Sequence, residues 1–407
     1  KIAVYACVFC AALLFFSIGL GAASRSKGAE RYFLLAGFTM AQSGDWITPV
    51  YEGKPRFQKP PLAYWLIAAS YKLFGGHLWA ARLPSALAGA LGVMLTGIMG
   101  EWLFRSRKAG LLASLFLAAC TGYLIQSRMA VTDIFLLLFF LLSMLFYARE
   151  LFSPEGSSVM RVAMWASMAT AFLSKGHLGL IIPLMIAVGL GFQRGFSLKK
   201  TLRPWVSPLG WLVFFGIAAP WFVAMYWIHG SAYYNHLLFS ETERRVGFSL
   251  LNIGNNAALY TKNWFLYFFP TSWFLTIGVF ELGISCSGED LTEQKTVRFL
   301  WTWTGAVLFL FVIIVYDFQS GYYLVPLTPA MALLAAFYAT RRRETVGKSG
   351  IWRIFLFTML VMISMMCIAS LTAALLIVGR WSMEGLIVSS VLAGIAAAGG
   401  LKLWKYL

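Results

Sequence analysis

Charged and aromatic residues are concentrated in one proline-rich stretch, Gly44 to Trp65, of an otherwise apolar sequence. Among its prolines, Pro55, Pro60 and Pro61 remove backbone donors and favour extended geometry in the residues before them. The stretch is therefore predicted to be a shaped loop and not a regular helix. Because it lies between apolar segments, we expect it to form one wall of a polar site at a membrane surface.

Two further charged residues stand at the edges of strongly apolar segments. Asp133 begins such a segment, where an unpaired carboxylate is costly, so it is predicted either to be paired with a cation or to serve the site. An N-cap role for Thr132 and Asp133 is the alternative. Lys175, together with Gly176, opens another apolar segment, and a lysine at such an edge indicates function by default. Contact with lipid head groups is the alternative for Lys59 and Lys175.

The composition identifies the elements that must position these residues. Of the 407 residues, 60% are hydrophobic and 12% are charged, against roughly 25% charged in soluble proteins. Apolar runs predict an all-α polytopic membrane protein with about twelve transmembrane helices, in a range of about 11 to 13. The predicted spans are 2–23, 83–104, 110–126, 133–149, 160–174, 177–193, 205–228, 263–284, 298–316, 322–340, 353–378 and 384–404. Shorter apolar segments, one from Glu30 to Gln42 and one from Pro61 to Phe74, predict interfacial helices.

Lysine and arginine predict the orientation of the chain. The net charge is +17, but the basic residues are dispersed in short loops, so no nucleic-acid partner is expected. Their distribution favours cytoplasmic N- and C-termini. This orientation places the loops 24–82 and 229–262, with the polar candidates, on the extracytoplasmic face. We expect one transmembrane domain over 1–407, with a core over 1–340, further helices over 341–407 and no soluble domain.

Several motifs follow one another in a fixed order. The first outer loop contains Arg31-Tyr32, Gly44-Asp45-Trp46, Gly53-Lys54-Pro55, Gln58-Lys59-Pro60-Pro61 and Tyr64-Trp65, with Ala80 to Ala86 after them. Further along the chain come Arg128 to Asp133, Lys175-Gly176 and Tyr322 to Pro329. In this order they resemble the motifs of the bacterial membrane glycosyltransferases of the aminoarabinose transferase and protein O-mannosyltransferase-like family. The resemblance covers roughly residues 1–340 and is specific because several ordered motifs agree.

The resemblance implies a C-type glycosyltransferase fold in the bacterial inner membrane. It implies a polyprenyl-phosphate-linked sugar as donor, a glycolipid or protein as acceptor, membrane lipids as surroundings, and inversion at the sugar. Such a transfer needs a carboxylate that takes the acceptor proton and cations that stabilise the departing lipid phosphate. The expected catalytic residues are Glu30, Asp45 and Asp133. The expected phosphate-binding residues are Lys59, Lys175, Arg128 and Arg245. The expected pocket residues are Arg31, Tyr32, Gln58, Tyr64, Glu241, Glu243, Tyr322 and Tyr323.

The chain departs from the family pattern at four polar positions. The family has an acidic pair before Arg-Tyr, and this chain has no counterpart in register; only Glu30 is near that position. The alternative bases are therefore Glu30, if a small shift of the loop lets it replace the missing carboxylate, Asp45 and Glu243. A further explanation for the missing acidic pair is that residues are absent near Ser26 to Ala29, where the loop of the family would be slightly longer. Gln58 replaces a glutamate, Thr242 a histidine and Gln319 a lysine. Since Gln58 and Thr242 occupy metal-ligand positions of the family, no metal-binding residue is predicted, although use of a divalent cation stays open.

Two functions follow from these observations. The first is an enzyme that transfers a sugar from a polyprenyl-phosphate carrier on the extracytoplasmic face. The second is a catalytically degenerate member of the same fold, a lipid-binding or scaffolding subunit of a membrane complex, and the four departures motivate it. A transporter ranks third, because the sequence shows few charges within spans and few paired broken helices.

Overall fold

The computed structural model describes residues 2–22, 28–153, 156–236, 250–282, 291–314 and 321–345. Most of these residues are helical, as expected where lipid offers the backbone no hydrogen-bond partners. The α-helices are α1 (Ile2–Ser17), α2 (Ala29–Ser43), α3 (Leu62–Phe74), α4 (Leu78–Phe104), α5 (Arg107–Ala119), α6 (Thr121–Ser127), α7 (Asp133–Phe152), α8 (Ser158–Lys175), α9 (Leu178–Gly191), α10 (Leu198–Leu202), α11 (Pro208–Asn235), α12 (Leu250–Leu266), α13 (Thr271–Leu282), α14 (Leu291–Phe309) and α15 (Thr328–Thr345). Tighter 3₁₀ turns cover Arg203–Val206 and Gly321–Leu327, and a π-helical turn covers Leu310–Ile314.

Within these ranges, five segments are long and apolar enough to cross a membrane. They are Leu78–Phe104, Asp133–Phe152, Pro208–Asn235, Leu291–Ile314 and Tyr322–Arg341. A sixth results if α5 and α6, which meet at an angle of 70°, form one broken span. The chain is therefore a multi-pass membrane protein. The predicted total of about twelve spans stays a prediction, and its last two spans, 353–378 and 384–404, lie outside the described residues.

Two spans that the sequence predicts as continuous are broken. The predicted span 110–126 is interrupted at Cys120, whose backbone is extended (φ −62°, ψ 115°). The predicted span 263–284 is interrupted after α12, where Pro270 cannot donate a helical hydrogen bond. The two breaks contact each other: the Thr121 N–H donates to the Phe269 carbonyl at 2.8 Å and the Gly122 N–H to the Tyr267 carbonyl at 2.6 Å. Backbone groups freed by the breaks thus satisfy one another.

The first outer loop is shaped as predicted. Between α2 and α3 it forms a hairpin in which β1 (Val50–Tyr51) pairs antiparallel with β2 (Lys54–Pro55). Its turn residues both have positive φ, as a two-residue hairpin turn requires. The two helices α2 and α3 confirm the helices predicted from Glu30 and from Pro61. Their position at the membrane interface stays a prediction.

Small residues let α4 approach α5 and α6 closely, as in other membrane helix pairs. A Cβ atom on Gly97 would lie 2.1 Å from the Ser114 hydroxyl, and one on Gly92 would lie 2.2 Å from the Tyr123 hydroxyl. Tyr123 also donates a hydrogen bond of 2.6 Å to the Gly89 carbonyl. This packing fixes the position of α6, which leads directly into the site.

Candidate active site

The segment from Arg128 to Asp133, between α6 and α7, connects two buried ion pairs. Near its centre, the Ala130 N–H donates to Glu30 Oε1 at 2.9 Å. At its end, the Asp133 carboxylate accepts a hydrogen bond from the Lys175 ammonium. The structure therefore joins the first outer loop, the Arg128 to Asp133 motif and the end of α8 at one location.

The Glu30–Arg82 pair is the first of these ion pairs, and both side chains are buried. Arg82 Nε donates to Glu30 Oε1 at 2.7 Å, and Arg82 Nη2 donates to Oε2 at 2.8 Å. Arg82 Nη1 donates to the carbonyls of Leu20 and Ala22 at 3.0 and 3.2 Å. Two-pronged contact of this kind gives an arginine–carboxylate pair a fixed geometry. The pair therefore anchors α2 to α4 and to the segment that follows α1.

These contacts fix the position of Glu30, and its expected catalytic role stays a prediction. Both carboxylate oxygens already accept hydrogen bonds, so Glu30 would have to break a buried ion pair to accept a proton from substrate. Arg82 belongs to the motif from Ala80 to Ala86, but its partner and its role were not predicted. One signal for its role was available: a lone arginine at the start of an apolar run needs a buried carboxylate as partner.

The Asp133–Lys175 pair is the second ion pair, and it confirms that Asp133 is paired with a cation. Both side chains are buried, and Lys175 Nζ lies 4.4 Å from the ring centroid of Tyr323 and 5.6 Å from that of Tyr322. The two tyrosine hydroxyls are 3.4 Å apart. Thr132 occupies the N-cap position of α7 but makes no side-chain cap, so the N-cap alternative is wrong for Thr132. The late tyrosine motif thus meets the Lys175-Gly176 motif.

Arg128 adds a second guanidinium to this region. Its Nη1 donates to the carbonyls of Phe15 and Phe16 at 3.5 and 3.3 Å. Burial, and then the positive charge of Arg82, lower the pKa of the Arg128 side chain. An arginine stays protonated under such a shift. The neighbourhood therefore holds three cations, Arg82, Arg128 and Lys175, against the two carboxylates Glu30 and Asp133, and the excess positive charge favours binding of an anion.

The loop that carries Lys59 packs against the end of α8. Phe57 contacts the rings of His229 and Tyr233 at centroid distances of 5.1 and 5.4 Å. Leu173, two residues before Lys175, is buried in the apolar cluster to which Phe57 and Trp65 also belong. These contacts bring the Lys59 loop and Lys175 to the same part of the molecule.

Other expected residues stabilise this loop. Tyr64 is buried, and its hydroxyl accepts a hydrogen bond of 3.0 Å from Arg56 Nε. Arg56 also lies over the Tyr32 ring, 4.2 Å from its centroid. Arg31 forms an exposed ion pair with Glu52 at 3.2 Å. Arg31 and Tyr32 therefore face the hairpin, whereas the buried Tyr64 holds the loop through its hydrogen bond from Arg56.

Asp45 makes local contacts. Its Oδ1 accepts the N–H groups of Ile47 and Thr48 at 2.8 and 3.1 Å, which is the pattern of an Asx turn. The backbone that follows is held by α11, because Trp221 Nε1 donates to the Ile47 carbonyl at 2.9 Å. Asp45 thus shapes the loop that leads to the hairpin.

The remaining expectations concern a metal and the second outer loop. Gln58 Oε1 is buried and has no hydrogen-bond partner among the described residues. Glu241, Thr242, Glu243, Arg245 and Gln319 lie outside the described residues. Among the side chains that the structure describes, no three of histidine, cysteine, aspartate or glutamate come together in a way that could hold a metal ion. Whether the protein uses a divalent cation stays a prediction to be tested.

A separate cavity of about 810 Å³ lies between α9 and α14. Its lining is largely apolar, with Gln193, Gln294 and Arg298 as polar members. None of the expected site residues lines it. It is therefore not the location of the polar chemistry described above.

Comparison with known sequences supplies the family context. The sequence model of the dolichyl-phosphate-mannose-protein mannosyltransferase family matches residues 3–238, more than half of the chain. A protein of Aquifex aeolicus strain VF5 is 25% identical over 356 residues, which cover 86% of this chain and 66% of that protein. An undecaprenyl phosphate-α-4-amino-4-deoxy-L-arabinose arabinosyl transferase of Pseudomonas paraeruginosa is 27% identical over 239 residues, which cover 56% of this chain and 40% of the transferase. The chain spans less than two thirds of the length of both relatives.

Two solved structures have a similar fold. ArnT from Cupriavidus metallidurans, bound to undecaprenyl phosphate, matches with a TM-score of 0.71 at 19% identity, over 100% of this chain and 72% of ArnT. The archaeal oligosaccharyltransferase AglB from Archaeoglobus fulgidus, in complex with an inhibitory peptide and a dolichol-phosphate, matches with a TM-score of 0.51 at 13% identity, over 92% of this chain and 55% of AglB. These likenesses confirm the C-type glycosyltransferase fold expected from the sequence.

Proposed function

Because this chain belongs to the dolichyl-phosphate-mannose-protein mannosyltransferase family, we propose that it is a membrane glycosyltransferase. It moves a sugar from a polyprenyl-phosphate donor to a glycolipid or protein acceptor. The reaction takes place on the extracytoplasmic face of the bacterial inner membrane, with both termini in the cytoplasm. The names of the arabinosyl transferases among the relatives state an undecaprenyl-phosphate-linked sugar, and the matched ArnT structure holds undecaprenyl phosphate.

The buried Asp133–Lys175 pair is the observation that carries this proposal. A lysine inside an apolar protein is costly to keep charged, and such residues mark binding or catalysis. Two tyrosine rings lie against its ammonium group, and the Lys59 loop packs beside the helix that bears it. Lysine is a point charge that can be shared between a carboxylate and a phosphate. Together with Lys59, Arg128 and Arg245, it supplies the cations for a lipid phosphate.

The proposed reaction is a single displacement. An acceptor hydroxyl attacks the anomeric carbon, the bond from that carbon to the phosphate oxygen breaks, and the polyprenyl phosphate leaves with the electron pair. Attack opposite to the leaving group inverts the configuration. The cations stabilise the charge on the departing phosphate. Asp133 accepts the acceptor proton, because Lys175 turns toward the bound phosphate and leaves this carboxylate able to act as a base.

The test is transfer by the purified protein in lipid nanodiscs with a panel of undecaprenyl-phosphate-linked sugars, including 4-amino-4-deoxy-L-arabinose and mannose. We expect Lys59→Ala to lower kcat/KM by about 100-fold or more, because loss of one group that stabilises the departing charge has such an effect. Lys54→Ala, on the exposed hairpin of the same loop, is the matched control and should keep full activity. Undiminished transfer by the Lys59 variant would refute the phosphate role.

The same experiment tests the alternative function, a catalytically degenerate subunit of a membrane complex. That protein would bind bare undecaprenyl phosphate but neither transfer nor hydrolyse any sugar of the panel. The comparisons do not favour this alternative, since the named relatives are transferases. Detection of a transferred sugar by mass spectrometry would exclude it.

A further inference from the structure

A second polar group, Gln126 and Tyr267, lies beside the Asp133–Lys175 pair. Gln126 is on the last turn of α6, two residues before Arg128. Its Nε2 donates to the Tyr267 hydroxyl at 3.2 Å. Helix α6 contacts α7, which begins at Asp133, and the Gly321–Leu327 turn, which carries Tyr322 and which α12 also contacts. The two side chains therefore border the region where the proposed chemistry takes place.

Gln126 has one buried amide atom without a partner. The residue is only 4% exposed, and its Oε1 accepts no hydrogen bond from the residues that the structure describes. An unsatisfied buried polar atom costs about 1–3 kcal/mol. A bound ligand that supplies the missing hydrogen bond would remove this cost.

The surrounding backbone holds these two side chains in place. Gln126 follows the break between α5 and α6, and Tyr267 lies in the break between α12 and α13. Gly122 brings the two breaks together, because a Cβ atom on it would lie 2.3 Å from the Tyr267 ring. Irregular backbone at membrane depth is tolerated where it lines a cavity or a binding site. Paired breaks are therefore the expected framework for a polar subsite inside a membrane protein.

We propose that Gln126 and Tyr267 form the subsite that binds the sugar of the lipid-linked donor, an inference that rests on the proposed function. With Nε2 donating to Tyr267, the amide offers Oε1 as an acceptor, and the tyrosine hydroxyl offers its proton as a donor. One acceptor beside one donor is the complement of a sugar hydroxyl. A site built to bond a hydroxyl discriminates strongly against analogues that lack it.

The experiment compares two affinities in nanodiscs: that for bare undecaprenyl phosphate and that for the undecaprenyl-phosphate-linked sugar that the wild type prefers. We expect Gln126→Met and Tyr267→Phe to weaken binding of the sugar-linked lipid about 10-fold or more while binding of the bare lipid changes less than about 2-fold. The KM for the donor should rise in parallel. Gln193→Met, an exposed glutamine at the separate cavity, is the control and should change neither affinity.

The outcomes separate this inference from the proposed function. If the wild type transfers sugar and both variants keep its donor affinity, the sugar subsite is refuted and the enzyme stands. If the variants lose affinity for the bare lipid as much as for the sugar-linked lipid, the residues support the phosphate site or the fold, and the inference is again refuted. If the wild type transfers no sugar, the proposed function fails. The subsite is still supported if the wild type binds the sugar-linked lipid more tightly than the bare lipid and the Gln126 variant loses this preference.

Discussion

The Glu30–Arg82 and Asp133–Lys175 pairs are both buried, and one short segment of chain connects them, yet their surroundings differ. Arg82 donates to both carboxylate oxygens of Glu30 and to two backbone carbonyls. Lys175 contacts one oxygen of Asp133 and the faces of two tyrosine rings. The first pair has protein partners fixed on all sides, whereas the second presents a point charge to an aromatic surface.

This difference indicates which pair holds the structure and which can bind a ligand. A guanidinium whose donors are matched to rigid acceptors loses much if it moves, whereas an ammonium group can redirect a hydrogen bond at small cost. Anchoring of Ala130 by Glu30 fixes the segment that carries Asp133. The Glu30–Arg82 pair therefore holds the segment from which Asp133 reaches Lys175.

The largest expected effect on stability comes from breaking the Glu30–Arg82 pair. Arg82→Ala leaves the Glu30 carboxylate buried without its cation, and removal of one partner of a buried pair costs about 3–5 kcal/mol. We expect a strongly lowered melting temperature in detergent, measured by intrinsic tryptophan fluorescence.

Arg31→Ala is the matched control, because Arg31 and Glu52 are each 59% exposed. An exposed pair of this kind contributes about 0–1 kcal/mol. Equal melting temperatures for the Arg82 and Arg31 variants would contradict the structural role of the buried pair.

A pair of double variants sharpens the comparison further. Lys175→Met should lower transfer about 100-fold or more and also reduce stability, since Asp133 loses its partner. In the double variant Asp133→Asn with Lys175→Met, no buried charge is left, so we expect stability to recover while transfer stays lost. In the double variant Glu30→Gln with Arg82→Met, no buried charge is left either. We expect its stability to recover relative to a variant of Arg82 alone, and much of the transfer activity to recover with it.

The measurements are melting temperature and kcat/KM on the same preparations. Recovery of transfer in the Asp133 and Lys175 double variant would show that the two pairs do not differ in role. An equal loss of transfer in both double variants, at recovered melting temperatures, would show the same.

Sequence reasoning predicted the fold class, the shaped loop and, as one of the alternatives for Asp133, its pairing, because each depends on local signals. Hydropathy and proline content predict helices and loops, and the cost of a buried charge predicts a partner. It did not predict that Asp133 pairs with Lys175 or Glu30 with Arg82, since these partners lie far apart in the chain and meet only in the folded protein. The choice of partner depends on helix packing, which no single segment encodes.

The broken spans show the same limit. Averaged hydropathy runs smoothly through 110–126, and Cys120 gives no sign of its extended backbone. Pro270, inside the predicted span 263–284, was a usable signal for a break. Gln126 and Tyr267 escaped notice because they become neighbours only when these two breaks meet.

The smallest effect is expected for Asp45, the one expected catalytic residue that belongs to neither ion pair. Asparagine has the same side-chain oxygen to accept the N–H groups of Ile47 and Thr48, so Asp45→Asn keeps the turn. If Asp133 is the base, kcat/KM for this variant should stay within about 2-fold of wild type, since only a charge outside the reaction is removed. Asp45→Ala, which loses both hydrogen bonds, should cost about 1 kcal/mol of stability. A loss of about 100-fold in Asp45→Asn with an unchanged melting temperature would instead make Asp45 the base and leave Asp133 as the partner that holds Lys175.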